Sequence, residues 1–169
     1  LASFIGGIGS MLIIGAFEAE LEQVAALAAF IPITIGMGGN VGTQAATIVT
    51  RGLALGRVNV QRFFNVVVRE ILTGCLLGLL YGLLLALVAS VAYADSGGDQ
   101  YTTLQLAATV SLSVATCMII AASVGGSVPI LFERVGIDPA IATGPVVTTS
   151  VDIIGISAYF VIGKLLLSI

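Results

Sequence analysis

The sequence predicts an all-α, polytopic membrane protein built as a bundle of five transmembrane helices per chain. The first observation is composition: of 169 residues, 58% are hydrophobic and 9% charged, against about 25% charged in a soluble domain. The second is patterning, because the charges gather in a few short clusters and the apolar runs between them reach the roughly 20 residues that a bilayer crossing needs. The third is the run of glycines and small residues along those segments, the usual means of close helix packing in lipid. Residues 1–169 therefore read as one membrane domain.

The first span runs from Leu1 to Phe17. It opens inside an apolar run with neither a basic n-region nor a small-residue cleavage site, so it is expected to belong to a core excised from a longer protein and not to a signal peptide. The acidic loop Glu18–Glu22 follows, then a second span from about Val24 to Thr50. Pro32, Gly36, Gly38, Gly39 and Gly42 weaken that helix, and irregular backbone at membrane depth is tolerated only against protein or a wet cavity. The loop 51–62 carries Arg51, Arg57 and Arg62. A third span, about Val66 to Tyr93, holds Gly74, Gly78 and Gly82 on one face, and the first span has Ser3, Gly6, Gly7 and Ser10 similarly placed. Such faces pack closely, within the chain or across a dimer seam. The acidic loop Asp95–Gln100, a fourth span from about Tyr101 to Phe132, the loop Glu133–Asp138 and a fifth span from about Pro139 to Leu167 complete the chain. Gly125, Gly126, Ser127, Val128 and Pro129 echo Gly38–Val41 faintly, which leaves an internal repeat open.

Loop charge orients the bundle. The second and fourth loops hold arginines, at Arg51, Arg57, Arg62 and Arg134, whereas the first and third hold only acids. The excess of positive charge on the cytoplasmic side then puts the N-terminus in the cytoplasm and the C-terminus outside, in a multi-pass inner (plasma) membrane protein whose solvent is the lipid bilayer. Lys164, near the outer end, is expected to snorkel.

Composition excludes several functions. With no histidine the chain lacks the usual general base and transition-metal ligand. Cys75 and Cys117 lie in separate apolar segments and read as small buried thiols, not as a disulfide or zinc pair. A net charge of −3 gives no reason to expect a nucleic-acid partner.

The strongest chemical signal is Asp152, near the midpoint of the fifth span. An ionised carboxylate facing lipid there costs about 2.5–3.5 kcal/mol, so it is expected to face protein or water. Its neighbours at helical spacing are Gly144, Thr148 and Gly155, a small and hydroxylated stripe beside Val147, Ile153, Ile154 and Ile156. In the second span Asn40, Thr43, Thr47 and Thr50 form a ribbon of neutral oxygens. Neutral oxygens plus one carboxylate suit a hard cation. The competing reading is an aspartate kept protonated or hydrogen-bonded for structure.

Together, the stretches FIPITIGMGGNVGTQAATIVTRGLALG and VGIDPAIATGPVVTTSVDIIGI resemble the transmembrane domain of the MgtE family of magnesium channels and transporters, over essentially the whole chain. The resemblance implies a homodimer with its ion path between subunits, formed by the second and fifth helices. It also implies a cytosolic N-terminal region with a CBS domain pair, which this chain does not include. It implies that Asp152 is the central ion-binding residue, with backbone carbonyls at Thr148 and Gly155 beside it and Thr47 on the pore wall, which Asn40, Thr43 and Gly144 also line. Gly144 and Thr43 stand where many members have asparagine, so two amide side chains are missing from the implied wall.

The implied cargo is Mg2+, with Mn2+ and Co2+ as further candidates, held in hydrated form because magnesium gives up water reluctantly. The chain is not expected to be an enzyme: an aspartyl protease needs two cooperating aspartates and only one lies at midspan. The alternatives are an exchanger that couples the divalent cation to Na+ or H+, and a non-transporting assembly subunit.

Overall fold

The computed structural model describes residues 2–94 and 101–167. Among these the chain is helical, with α1 Ala2–Ala16, α2 Glu18–Gln23, α3 Ala26–Ala54, α4 Phe63–Ala92, α5 Thr103–Arg134 and α6 Pro145–Leu167. Short 3-10 turns at Val60–Arg62 and Pro139–Thr143 precede α4 and α6. The helices α3, α4, α5 and α6 are long and apolar enough to cross a membrane. The first apolar stretch forms a helix of 15 residues, about 22 Å long at 1.5 Å per residue, which is shorter than a hydrocarbon core of about 30 Å. Four of the five expected spans therefore meet the length requirement. The expected acidic loop Asp95–Gln100 lies outside the described residues.

The centre of the bundle is α5, which packs against α3, α4 and α6, while α1 lies against α6. The buried side chains Val110, Val114, Met118 and Ala121 of α5 meet Leu27 and Phe30 of α3 and Val147, Val151, Tyr159 and Phe160 of α6. In lipid, burial of apolar area does not favour one helix contact over another, so fit and hydrogen bonds decide. Glycines supply the fit. A Cβ on Gly74, Gly78 or Gly82 would come within 2.9 Å or less of α5 backbone or side-chain atoms at Met118, Ala122, Ala115 and Ser111. The doubled small-residue repeat of the third span is thus used inside the chain, against α5. Gly6 and Gly9 play the same part where α1 crosses Thr149 and Ile153 of α6.

Contrary to expectation, the Gly-rich second span is not broken. The helix α3 runs unbroken through Pro32 and the Gly38–Gly39–Asn40 segment. Each helical glycine costs about 1 kcal/mol relative to alanine, but an unsatisfied backbone group in hydrocarbon costs several, so the ladder persists. Crossing geometry explains Gly38 and Gly42: Gly38 meets Val151 of α6, Gly42 meets Val147 and Val151 of α6 and the Ala121 carbonyl of α5, and Gly125 of α5 lies directly on Gly42. Of the two echoing segments, Gly125 meets α3 just past Gly38–Val41, at Gly42 and Ala45, while Gly38 faces Val151 of α6 and Gly126 faces Glu70 of α4.

Local signals set the ends. Thr102 and Gln105 form a reciprocal capping box at the start of α5, with the Gln105 amide donating to Thr102 Oγ1 at 3.1 Å and the Thr102 amide to Gln105 Oε1 at 2.8 Å. Asp138 caps the turn before α6 by accepting from the Ala140 amide at 2.9 Å.

The acidic first loop is another correction, since Glu18–Gln23 is helical and Glu20 is buried. Lys164, expected to snorkel, donates to Glu20 Oε1 at 2.6 Å and fastens α2 to α6. That hydrogen bond, aided by one to the backbone, holds the Glu20 carboxyl below the usual glutamate range. A depressed carboxylate contributes stability that is present above the unfolded value and is lost as pH falls through the folded one. Thermal stability of the wild type is therefore expected to drop as pH is lowered from 6 toward 3.5, and Lys164→Gln to flatten that pH dependence in a thermal-melt series. Equal slopes for the two proteins would show that the pair contributes nothing.

Candidate ion-binding site

Asp152 lies on the second turn of α6 and not at its midpoint, because the fifth apolar stretch becomes helical only at Pro145. Its depth is nevertheless central. It shares a small crevice with Thr34, Ile35 and Gly38 of α3, Cys117 of α5, and Val151, Gly155 and Ile156 of α6, and Gly38 and Cys117 stand near the middles of their helices. The side chain is half-buried and forms no ion pair or hydrogen bond among the described residues. It is a carboxylate at mid-bundle depth with no partner among the described residues.

Thr148 lies one turn before Asp152, next to Gly39 of α3. Its hydroxyl points back along its own helix, 3.3 Å from the Pro145 carbonyl and 3.4 Å from that of Gly144. Thr43 and Thr47 do the same on α3, donating at 2.8 Å to the carbonyls of Gly39 and Thr43. A threonine that gives its proton to its own helix presents only acceptor lone pairs outward. The result is a wall of oxygens without donors, and the waters around a cation are donors. Thr47 is exposed and Thr43 half-buried, so this ribbon lies on the outside of the single chain.

The other expected site residues are placed differently. Gly155 is buried, and its carbonyl accepts from the Cys117 thiol at 3.1 Å, which turns it toward α5. Asn40 faces the other side of α3, in a cleft with Gln44, Leu77 and Tyr81. Gly144 is open, with no atom near the position a Cβ would take. Thr50 reaches the end of the same seam, 3.4 Å from the Pro139 carbonyl, where a hollow of about 280 Å³ is lined by Thr50, Glu133 and Asp138. In the sequence Glu133 and Asp138 mark only the two ends of the fourth loop. Nothing in the sequence shows that α3 would end beside them.

Among the described residues no three His, Cys, Asp or Glu side chains gather as a metal-binding group, so one chain offers a cation a single carboxylate at mid-depth. A family model for MgtE, described as a divalent cation transporter, matches residues 31–162, which include both the α3 ribbon and Asp152. The chain belongs to the MgtE family. It is similar to the magnesium transporter MgtE of Bacillus subtilis (strain 168), 36% identical over 160 residues that make up 95% of this chain and 34% of that protein. The magnesium transporter MgtE of Thermus thermophilus is 34% identical over 161 residues, again 95% of this chain and 34% of its own length. That of Enterococcus faecalis is 28% identical over 159 residues, 94% and 33% respectively.

The chain spans about a third of the length of these MgtE relatives. As an MgtE member with four helices fit to cross a bilayer it is an integral membrane protein. The MgtE family is one of transporters and not of enzymes.

Proposed function

We propose that this chain is the membrane core of a magnesium transporter, and that two copies bring their Asp152 carboxylates to one aqueous path where a hydrated Mg2+ binds. The observation that carries the reading is the unpartnered Asp152 at mid-bundle depth, on a chain of the MgtE family. A carboxylate facing lipid is costly, and the described residues of this chain supply no cation to neutralise it. A second copy across a two-fold axis supplies a second carboxylate, and a divalent cation between the two cancels both charges. The exposed threonine ribbon of α3 supports the same arrangement, since a polar face left toward lipid is covered when two copies meet.

Chemistry selects the cargo. Magnesium holds its first water shell tightly and is seldom bound by protein atoms alone, and a wall of acceptors suits those waters. Asp152 and Thr148 form the centre of the site, Thr43 and Thr47 line the approach, and Gly144 and Thr50 lie toward the inner mouth. The Gly155 carbonyl joins only if the Cys117 thiol releases it. Such grip through water is weak enough to let the ion leave, as conduction requires. The membrane potential adds about 4.6 kcal/mol of inward drive for a double charge at 100 mV, so no coupling ion is needed.

The test is Mg2+ influx into proteoliposomes holding the purified protein, under a potassium-diffusion potential and with no sodium or proton gradient. Uptake that follows the potential is expected. Uptake that appears only when a sodium or proton gradient is imposed would replace the channel by an exchanger.

A further inference from the structure

We infer that the groove between α3 and α4, at the end of the bundle that carries the arginine loop, is a binding site for an anionic phospholipid whose phosphate sits among Arg57, Arg62 and Arg69. The inference rests on the chain being embedded in a membrane, and not on which ion it carries.

The groove exists because α3 and α4 both pack on α5 and barely touch each other. At its charged end it encloses about 500 Å³, lined by those three arginines with Asn65, Glu70 and Thr73 of α4 and Ile48 of α3. The loop that forms its rim is held in place. Gly56 takes a positive φ of 65°, the Val58 side chain folds onto Gly52, where a larger residue would collide, and both Arg57 and Val58 amides donate to the Gly52 carbonyl. Asn59 accepts from the Gln61 amide at 2.8 Å. From α5, Arg134 donates to the Val60 carbonyl at 2.8 Å, and its guanidinium lies 5.0 Å from the centre of the Phe63 ring.

Arg134 is thus committed to the fold, whereas the guanidinium groups of Arg57, Arg62 and Arg69 donate no hydrogen bond and form no ion pair among the described residues. Planar guanidinium forks match phosphate oxygens, and basic pockets between membrane helices favour anionic headgroups. The Glu70 side chain lines the same groove with its Cβ and Cγ against Gly126, and its carboxylate forms no ion pair among the described residues. Three positive charges against one leave the site positive, and Glu70 is an acceptor for a hydroxyl, which favours a headgroup such as that of phosphatidylglycerol.

Shape supplies the second half. About one turn beyond Thr73 a second cleft between the same two helices is lined by Met37, Asn40, Val41 and Gln44 of α3 and by Leu77 and Tyr81 of α4. The distance from Arg69 to Leu77 and Tyr81 is about 12–18 Å along α4 at 1.5 Å per residue, enough for one acyl chain. Leu72 and Leu76, 59% and 70% exposed, flank that path.

The experiment is native mass spectrometry of the purified protein taken from nanodiscs of phosphatidylglycerol or of phosphatidylcholine. The expected result is retained phosphatidylglycerol, little phosphatidylcholine, and a loss of about a hundredfold in apparent affinity for the triple variant R57Q/R62Q/R69Q, at about fivefold per arginine. If the triple variant does not fold, Arg69→Gln alone is expected to show the fivefold loss. Millimolar inorganic phosphate is expected not to displace the lipid, because it lacks the acyl chain. Equal retention of both lipids, no loss on arginine substitution, or full displacement by inorganic phosphate would overturn the assignment. So would a triple variant that keeps its lipid but falls from dimer to monomer, since the groove would then hold a second copy. Lipid retention is read without any ion flux, so its failure leaves the cation reading standing.

Discussion

Asp152→Ala is expected to lower Mg2+ flux through proteoliposomes by about two orders of magnitude. Two carboxylates, each about 5 Å from a doubly charged ion, attract it by about 3 kcal/mol even at a water-like dielectric constant, and 1.4 kcal/mol is a factor of ten. Asp152→Asn is expected to lose as much, because the amide keeps the shape and removes the charge, while Asp152→Glu retains part of the flux. The protein is expected to keep its fold in all three, since the Asp152 side chain forms no hydrogen bond or ion pair among the described residues. Full flux in the alanine variant would remove the aspartate from the ion path.

Gly125→Val is expected to have the largest effect on stability. Gly125 lies on the Gly42 backbone where α5 crosses α3, and its added Cβ would also meet the Ala45 side chain at 2.9 Å. Overpacking typically costs about 1–3 kcal/mol, and here the obstacle is backbone, which cannot swing aside. A reduced yield of monodisperse protein and a lower Tm in detergent are expected. Gly15→Ala serves as the control, because no atom lies within 4 Å of the position its Cβ would take and alanine is the better helix former by about 1 kcal/mol. If the two variants melt alike, close approach at Gly125 is not what holds α3 to α5.

Most of the architecture could be read from composition and spacing, since lipid allows few alternatives to a helix in each long apolar run. The boundaries expected for α3, α4 and α5 fall within a few residues of those observed. The glycine face of α4 was equally legible as a packing face, but its partner was not, because a small-residue stripe says how closely a helix packs and not against which one. Gly38 and Gly39 misled for a related reason. Read alone, they look like a helix break; the cause at Gly38 is the nearness of Val151 on a helix more than a hundred residues later.

At the candidate site, Asp152 and Thr148 stood out because a charge or a hydroxyl in a hydrophobic run needs a reason. The sequence could not show that Asn40 faces α4 or that the Gly155 carbonyl is occupied by Cys117, since both depend on helix rotation about α5. Glu70 was hidden too: beside Arg69 near the start of a span it reads as an interfacial charge, and its burial comes from Gly126 leaving room on α5. Lys164 and Glu20, far apart in sequence, pair only because α2 is a helix that brings Glu20 back to the end of α6.

The central claim is that Asp152 of two copies shares one divalent cation, and the most direct measurement is an anomalous difference density map of the dimer with manganese substituted for magnesium. A single peak on the two-fold axis, about 4–5 Å from both carboxylates as binding through water requires, is the result expected. A dimer in which the Asp152 side chains point to lipid or lie far from each other, with manganese density only elsewhere, would contradict it.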